Sequence, residues 1–220
     1  MKPYYMITKK EEQNMSAIFF RGNNALQAVF EQLPKRVTMH SERVKEIAGI
    51  IMEFVPDEML PEGMYRGEYC FALLHGAYYH EIGIYLGLND TQKRPSAAKR
   101  FLEENLNKEE SFNTMVLETV CSHWERYDGS GFPDGMAGED IPFHASLLAI
   151  IDTVDMIANG KMAGWKFKKA AEYIKKNSGV LFHPEAVRCF ELAEGKIREF
   201  YLNSKTRTQS ADTNSVEMSS

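Results

Sequence analysis

The chain of 220 residues has no apolar run of about 18 residues or more, so the sequence predicts no membrane-spanning helix. Residues 1–21 also lack the long apolar segment of a secretory signal peptide, and we therefore expect a cytoplasmic protein. Positive charge is not in excess, because 26 Lys and Arg residues stand against 31 Asp and Glu residues. A broad electrostatic surface for nucleic acid is therefore not expected.

Cysteine is scarce, and its three copies are far apart in the sequence. Cys70, Cys121 and Cys189 each lie inside an apolar segment, and their number is odd. This pattern excludes a disulfide framework and does not fit a cysteine-rich metal site. We interpret all three as reduced core residues.

Helical periodicity is what the sequence does contain, over most of its length. With 44% hydrophobic residues the chain can bury a substantial core, and the pattern predicts a single all-α domain. Its predicted bounds are 25–203, with an N-terminal extension at 1–24 and a disordered, Ser- and Thr-rich tail at 204–220. Helices are predicted at 41–55, 66–88, 95–105, 111–127, 144–158, 167–175 and from Pro184 onward.

The predicted helix at 66–88 carries an unusual stripe, in which Gly76, His80, Gly83 and Gly87 are three and four residues apart. Each glycine costs a helix about 0.5–1 kcal/mol relative to alanine, so another contribution must offset it. The simplest one is close approach of neighbouring backbone around His80. The stripe therefore predicts a tight polar pocket inside an apolar interior.

Asp152 lies in the middle of the predicted helix at 144–158, which is apolar around most of its circumference. A buried, ionised carboxylate without a partner costs several kcal/mol. Asp152 therefore needs a cation or several hydrogen-bond donors. Together with His40, His80-Glu81 and His123, each in or beside a helical segment, it points to a metal-dependent phosphoester site.

Five segments, taken in order, resemble the motifs of HD-GYP domains, the bacterial HD-type metal-dependent phosphohydrolases that hydrolyse the second messenger cyclic di-GMP. The resemblance runs from Ala25 to Tyr201 and implies a single all-helical HD domain. The matching segments are His40-Ser41-Glu42-Arg43-Val44, His80-Glu81-Ile82-Gly83, His123 to Pro133, Ala149 to Asp155, and Gly179 to Pro184.

The resemblance also implies a metal site formed by His40, His80, Glu81 and Asp152. Two imidazoles and two carboxylates suit one divalent ion, which could be Mn, Fe, Ni, Zn or Mg. The implied catalytic residues are His80, Glu81 and Asp152, acting on cyclic di-GMP or a related phosphoester. His123 is the one ligand left of a second metal position, with a packing or capping role as the alternative.

Several positions depart from the family pattern. Glu81 replaces an aspartate, Ile84 a lysine near the substrate phosphate, and Arg94 and Trp124 two ligand histidines. The fixed charge of Arg94 disfavours a second divalent ion nearby. We therefore expect at most one tightly held metal and a reduced or altered activity.

In the family the loop at 128–135 borders the active site and can also contact partner proteins, including the synthases of cyclic di-GMP. The residues assigned to substrate or partner contact are Arg94, Asp128, Gly131, Phe132, Pro133 and Lys161. A retained loop beside lost ligands leaves an alternative function open, a catalytically inactive module that binds a nucleotide or a signalling protein. Hydrolysis of a different nucleotide is a third hypothesis.

The remaining histidines are interpreted as structural. His75 lies on another face of the helix that carries His80, and His144 lies at a predicted helix start. His183 immediately precedes Pro184 and is predicted to cap the last helix.

Overall fold

The computed structural model describes residues 24–86, 90–106, 111–159 and 162–217. Gly87 and Lys161 lie outside these ranges, as does nearly all of the predicted N-terminal extension. Within them the chain is helical without a strand, apart from an isolated bridge between Ser178 and Phe182. The all-α prediction is confirmed.

Eight α-helices follow one another in the described ranges. They are α1 (Asn24–Glu31), α2 (Lys35–Ile51), α3 (Arg66–Tyr79), α4 (Arg94–Asn105), α5 (Ser111–Ser122), α6 (Phe143–Ala158), α7 (Ala163–Lys176) and α8 (Pro184–Glu217). Short 3-10 segments span Met52–Phe54, Asp57–Met59, His80–Ile84, Thr91–Lys93 and Gly138–Asp140.

Helix α6 lies at the centre of the bundle, in contact with α2, α3, α5, α7 and α8. Its apolar residues cover most of its circumference, and Leu147, Leu148, Ile150 and Val154 are fully buried. Burying a side chain of this size contributes about 1.5–3 kcal/mol relative to exposing it. The central position therefore follows from the composition of the helix, and it places Asp152 in the interior.

The predicted helix at 66–88 is too long, because α3 ends at Tyr79 and a 3-10 turn, His80–Ile84, follows. Tyr79, with φ −101° and ψ 4°, leaves the α-helical conformation. The predicted helix at 111–127 also ends early, at Ser122, before the glycine-rich loop. Each of these α-helices thus ends directly before a predicted site residue, His80 after α3 and His123 after α5.

Close packing is observed at two glycines of the stripe, against the side chain of Thr119 at Gly76 and against neighbouring main chain, as predicted, at Gly83. A Cβ atom on Gly76 would lie 2.6 Å from Cβ of Thr119 on α5, and one on Gly83 would lie 2.9 Å from the carbonyl oxygen of Arg94. Carbon atoms at van der Waals contact are about 3.5–4.0 Å apart, so neither site can hold a larger side chain without movement. The glycines thus allow α5 and the start of α4 to pack against the segment that carries His80.

We expect Gly76→Ala to lower the free energy of unfolding by about 1–3 kcal/mol, because the new methyl overlaps Thr119. Gly49→Ala in α2 is the matched control, since its Cβ would meet only Leu74 Cδ2 at an ordinary 3.7 Å. That change should raise stability by about 0.5–1 kcal/mol through helix propensity. Urea unfolding measures both, and equal stabilities of the Gly76→Ala variant and the parent would contradict the tight packing.

His75 is a buried packing residue, as the sequence predicts. Its Nδ1 donates to the carbonyl of Phe71 (2.9 Å), and the two rings are 3.9 Å apart. Burial is the main reason that the pKa of His75 falls to about 4. The folded chain therefore keeps this ring neutral at pH values where the unfolded chain protonates it.

This difference makes the stability of the fold depend on pH. As the pH falls from about 6.5, the ordinary pKa of histidine, towards the folded value, the unfolded state takes up a proton that the folded state refuses. We expect His75 to account for a loss of about 2 kcal/mol in the free energy of unfolding between pH 7 and pH 5. Urea unfolding at both pH values should show a smaller loss in His75→Leu, and an identical loss would contradict this role.

The three cysteines are buried and none forms a disulfide, which confirms that prediction. Burial raises the pKa of Cys121 and of Cys189 to about 12, so both thiols stay protonated and weakly reactive at neutral pH.

No helix within the described residues is long and apolar enough to cross a membrane. The backbone of α8 is helical to Glu217, whereas the sequence predicts a disordered tail from residue 204, and the domain bounds stay a prediction.

Candidate metal centre

Three side chains from separate elements converge in the interior. His40 comes from α2, His80 from the start of the 3-10 turn, and Asp152 from α6. His40 Nε2 is 3.2 Å from His80 Nε2 and 3.0 Å from Asp152 Oδ1, and His80 Nε2 is 3.6 Å from the same oxygen. We call these three residues the His-His-Asp cluster.

The opposite ring nitrogens of both histidines are engaged elsewhere. His80 Nδ1 donates to the carbonyl of Ala77 (2.7 Å), and His40 Nδ1 donates to Asp155 Oδ2 (2.7 Å). A carbonyl and a carboxylate can only accept, so each Nδ1 carries a hydrogen. In the neutral rings both Nε2 atoms then present lone pairs, and three electron-rich atoms face one another.

A divalent cation fits this arrangement. Ligand atoms about 2.1 Å from a first-row metal stand roughly 3.0–3.5 Å apart, close to the 3.0–3.6 Å separations in the cluster. Asp152 Oδ1 is buried and has no hydrogen-bond partner among the described residues. A buried carboxylate oxygen without a donor is costly, and a cation would remove that cost.

The charges of the cluster also favour a cation. Burial raises the pKa of Asp152, but the neighbouring imidazoles of His40 (Nε2 at 3.0 Å) and His80 (Nε2 at 3.6 Å) outweigh burial and hold that pKa well below its usual range. Burial likewise lowers the pKa of His40, yet Asp152 and Asp155 raise it to about 9. Asp152 is therefore ionised, and a proton and a metal compete for the lone pair on His40 Nε2.

Asp155 supports His40, and the sequence analysis did not assign it a role. It is 1% exposed and accepts from His40, from Arg43 Nε and Nη2 (2.8 Å each), and from the hydroxyl of Tyr201 (2.8 Å). Such a carboxylate fixes the tautomer and the orientation of a ligand histidine. The available signal was the spacing of three between Asp152 and Asp155, which puts both on one helix face.

His123, at the end of α5, lies beside the cluster rather than within it. Its ring is edge-on to that of His80, with centroids 5.4 Å apart, and its Nδ1 donates to the carbonyl of Val120 (2.9 Å). Burial, with a smaller effect from His80, lowers the pKa of His123 to about 4, so the ring is neutral. Its Nε2 is buried without a hydrogen-bond partner among the described residues. Its assignment as a metal ligand stays a prediction.

The structure does not bring Glu81 into the cluster. Glu81 follows His80 in the 3-10 turn, where successive side chains diverge by about 120°, and its side chain is half-buried. Arg94 begins α4, and its main-chain carbonyl packs against Gly83. The ligand role of Glu81 and the substrate role of Arg94 stay predictions, and Lys161 lies outside the described residues.

The loop after α5 follows a fixed path beside the cluster. A Cβ on Gly131 would lie 2.3 Å from the nitrogen of Arg126 and 2.5 Å from Cα of Glu125, so only glycine fits there. Buried Glu125 accepts from the main-chain nitrogens of Asp134 (2.7 Å) and Gly135 (3.2 Å). This role of Glu125 is not visible in the sequence, because its partners are nine and ten residues away and no helical spacing reveals them.

Aromatic stacking and a second main-chain contact hold the same loop. The rings of Trp124 and Phe132 stack at 5.4 Å with an angle of 22°, and Asp128 donates its main-chain N–H to Val180 (2.9 Å). The Asp128 side chain is exposed and accepts from the main chain of Ser130 (2.9 Å), while the Pro133 ring is half-buried. The loop is therefore held by contacts among its own residues and by the main-chain bond to Val180.

His183 caps α8, which confirms that prediction. Its Nδ1 accepts from the main-chain nitrogen of Glu185 (3.1 Å), and its Nε2 bonds Glu139 (2.9 Å). The cap satisfies one of the free N–H groups at the helix start. His183 therefore has a structural role, and it is not a member of the His-His-Asp cluster.

A cavity of about 310 Å³ opens beside the cluster, and its lining includes Asp152 and His123. Trp124, Glu125 and Arg126 line it from the loop. The cavity gives a small molecule access to the carboxylate of Asp152, whose Oδ1 has no hydrogen-bond donor among the described residues. The geometry thus combines a cation site with an adjacent open space.

Comparison with known proteins finds similarity to the HD domain. Residues 89–186 match the family model of the HD domain. The matched stretch contains His123 and Asp152 but not His40 or His80, which the fold brings to it. The family match therefore covers one of the three residues of the cluster, Asp152, and the structure supplies the other two.

Among curated proteins, the chain is 30% identical over 102 residues to the cyclic di-GMP phosphodiesterase response regulator RpfG of Xanthomonas campestris, covering 46% of this chain and 26% of RpfG. It is 32% identical over 93 residues to a cyclic di-GMP phosphodiesterase of Thermotoga maritima, covering 41% and 25%. It is 31% identical over 75 residues to the 3'3'-cGAMP-specific phosphodiesterase 2 of Vibrio cholerae, covering 33% and 14%. The matched region thus spans about a quarter or less of these relatives.

Proposed function

We propose that this chain, which carries an HD domain of the HD-GYP type, is a metal-dependent phosphodiesterase acting on cyclic di-GMP or a related phosphoester. The observation that carries the proposal is the convergence of two imidazole lone pairs and one ionised carboxylate oxygen at 3.0–3.6 Å. The names of the similar proteins support a cyclic dinucleotide as the substrate class. The loss of the family's lysine, at Ile84, supports a reduced or altered rate.

His40, His80 and Asp152 would hold one divalent ion, with Glu81 as a further ligand and His123 as the remnant of a second position. Mn, Fe, Ni, Zn and Mg all accept mixed imidazole and carboxylate ligands. When bound, such an ion polarises a phosphoryl oxygen and lowers the pKa of a water molecule. One ion is expected, because Arg94 and Trp124 stand where the family has two more ligands.

The residues around the ion have separate tasks. Asp155 holds His40 in the tautomer that offers Nε2, and Ala77 does the same for His80. Asp152 keeps its charge at neutral pH, because its neighbours lower its pKa. His123 and Asp152 also line the cavity, so a phosphate in that space would lie beside the cluster.

Metal analysis combined with turnover tests the proposal. The purified chain is expected to contain about one equivalent of a divalent metal after reconstitution, and to hydrolyse bis(p-nitrophenyl) phosphate and cyclic di-GMP. Removal of the metal by a chelator should abolish both activities, and its return should restore them. Stoichiometric metal without turnover of either diester would refute the enzymatic proposal.

We expect Asp155→Asn to weaken metal binding by about 10- to 100-fold, because the amide cannot hold His40 in the same tautomer with the same strength. Competition of Mn²⁺ with a fluorescent chelator measures the affinity. Asp140→Asn, which changes an exposed acid in the Gly138–Asp140 segment, is the control and should leave the affinity unchanged. Equal affinities of the Asp155→Asn variant and the parent would contradict the supporting role of Asp155.

A second candidate function is a binding module for a signalling protein such as a cyclic di-GMP synthase. It is favoured by the loop at 128–135, which Glu125 and the close contact at Gly131 hold in one path. That path exposes Asp128 and leaves Phe132 half-buried at the surface. Metal without turnover, together with synthase capture that is lost in Phe132→Ala, would favour this candidate.

The cytoplasmic location stays a prediction.

A further inference from the structure

The cavity beside the cluster has an apolar side that metal binding does not explain. Besides His123 and Asp152, its lining includes the large apolar side chains of Trp124, Met156, Tyr173 and Leu181. Met156 is 68% exposed and Tyr173 is 43% exposed, although both are large apolar side chains. Exposed apolar residues grouped around a polar site are typical of a ligand-binding surface.

Trp124, on this apolar side, packs against two other rings. The Phe132 ring stacks on it at a centroid distance of 5.4 Å, and the ring centroid of His123, the preceding residue, lies 5.3 Å away. A ring held in this way loses little conformational freedom when a second planar group stacks on it. In the family pattern the same position holds a ligand histidine, so the aromatic wall is a property of this chain.

The cavity also offers a positive charge. Arg126 is exposed, and it is the one Lys or Arg residue among the described residues that line the cavity. A planar apolar wall with a guanidinium at its edge suits a heteroaromatic base joined to a phosphate. The volume of about 310 Å³ lies at the small end of the roughly 300–1,000 Å³ of ligand sites, which favours one nucleotide unit over two.

We infer that the cavity is a subsite for one nucleobase of the substrate, with Trp124 as the stacking wall and Arg126 beside the phosphate. The inference rests on the proposed function, because the phosphate must lie at the His-His-Asp cluster. One half of a cyclic dinucleotide is then held and the other half faces solvent. Linear and mononucleotide phosphoesters therefore satisfy the same contacts.

Binding of two probes tests the subsite without turnover. GMP and ribose 5-phosphate share a sugar and a phosphate, and only GMP has a base. Calorimetric titration of the Mn²⁺-loaded chain is expected to show GMP bound on the order of 10-fold more tightly. Trp124→Leu should reduce this ratio to about 2-fold or less and leave the affinity for ribose 5-phosphate unchanged, whereas Trp124→Phe should retain most of it.

Two control variants separate stacking from charge and from general effects. Trp165→Leu removes an exposed tryptophan that does not line the cavity, and it should keep the full ratio. Arg126→Gln should weaken both probes by a similar factor, because it acts on the phosphate that they share.

Three results would overturn the subsite: equal affinity of the parent for the two probes, an equal loss of both in Trp124→Leu, or no measurable binding of either. The comparison in the parent needs no variant to fold. A base preference that depends on Trp124 in a chain that hydrolyses no diester would support the subsite and refute the enzymatic proposal. Diester turnover without a base preference would support the enzymatic proposal and refute the subsite.

Discussion

Asp152→Ala is expected to prevent metal binding at the cluster and to lower the proposed phosphodiesterase activity by at least about 100-fold. Even outer-shell losses cost metal sites about 10- to 100-fold, and Asp152 is the one carboxylate in the His-His-Asp cluster. Without it, two neutral imidazoles remain to hold a divalent charge. Metal content by atomic emission and turnover of bis(p-nitrophenyl) phosphate measure the two effects.

The control for this variant is Asp140→Ala, which removes an exposed carboxylate outside the cluster and should leave metal content and turnover unchanged. Far-UV circular dichroism and a thermal melt show whether the Asp152→Ala variant keeps its helices. If a folded Asp152→Ala variant retained both metal and turnover, the cluster would not be the active centre.

The second large effect is expected for Gly131→Ala, which should lower the free energy of unfolding by about 3 kcal/mol. The added methyl would overlap main-chain atoms of Glu125 and Arg126 at 2.3–2.6 Å, and a main chain cannot move aside as the end of a side chain can. The displaced loop should also become sensitive to trypsin at Arg126. Thermal unfolding and limited proteolysis measure these changes.

Gly135→Ala is the matched control in the same loop. Gly135 has φ +67°, and a Cβ there would meet only the carbonyl oxygen of Gly129 at an ordinary 3.9 Å, so alanine should cost only about 1–2 kcal/mol from the left-handed backbone. A smaller loss for Gly131→Ala than for Gly135→Ala would show that the loop is not fixed by the contact at Gly131.

The sequence predicted His80 and Asp152 as members of the cluster because each of them is an anomaly in an apolar segment, whereas His40 was assigned from the family resemblance. His80 lies among glycines, and Asp152 lies in a segment whose neighbours are almost all apolar. Such residues need partners in the interior, and the interior of a small helical bundle is where they meet. The identity of the partners followed from family resemblance rather than from periodicity.

Other parts of the site could not be predicted, for two physical reasons. Periodicity does not distinguish an α-helix from a 3-10 turn that continues it, so the end of α3 at Tyr79 was missed. The contacts of Asp155 with Arg43 and Tyr201 join helices far apart in sequence, and only tertiary structure brings them together. The same holds for Glu125 and the loop that it supports.

The carboxylate of Asp155 joins three helices, since its bonds reach His40 on α2 and Tyr201 on α8 from α6. Orientation of a ligand and packing of the bundle are thus thermodynamically linked. A ligand that binds only the folded chain stabilises it by about 2.7 kcal/mol at a concentration 100 times its dissociation constant. Binding of a divalent cation at the cluster is therefore expected to stabilise the folded helical bundle. The metal-loaded chain should melt at a higher temperature than the metal-free chain.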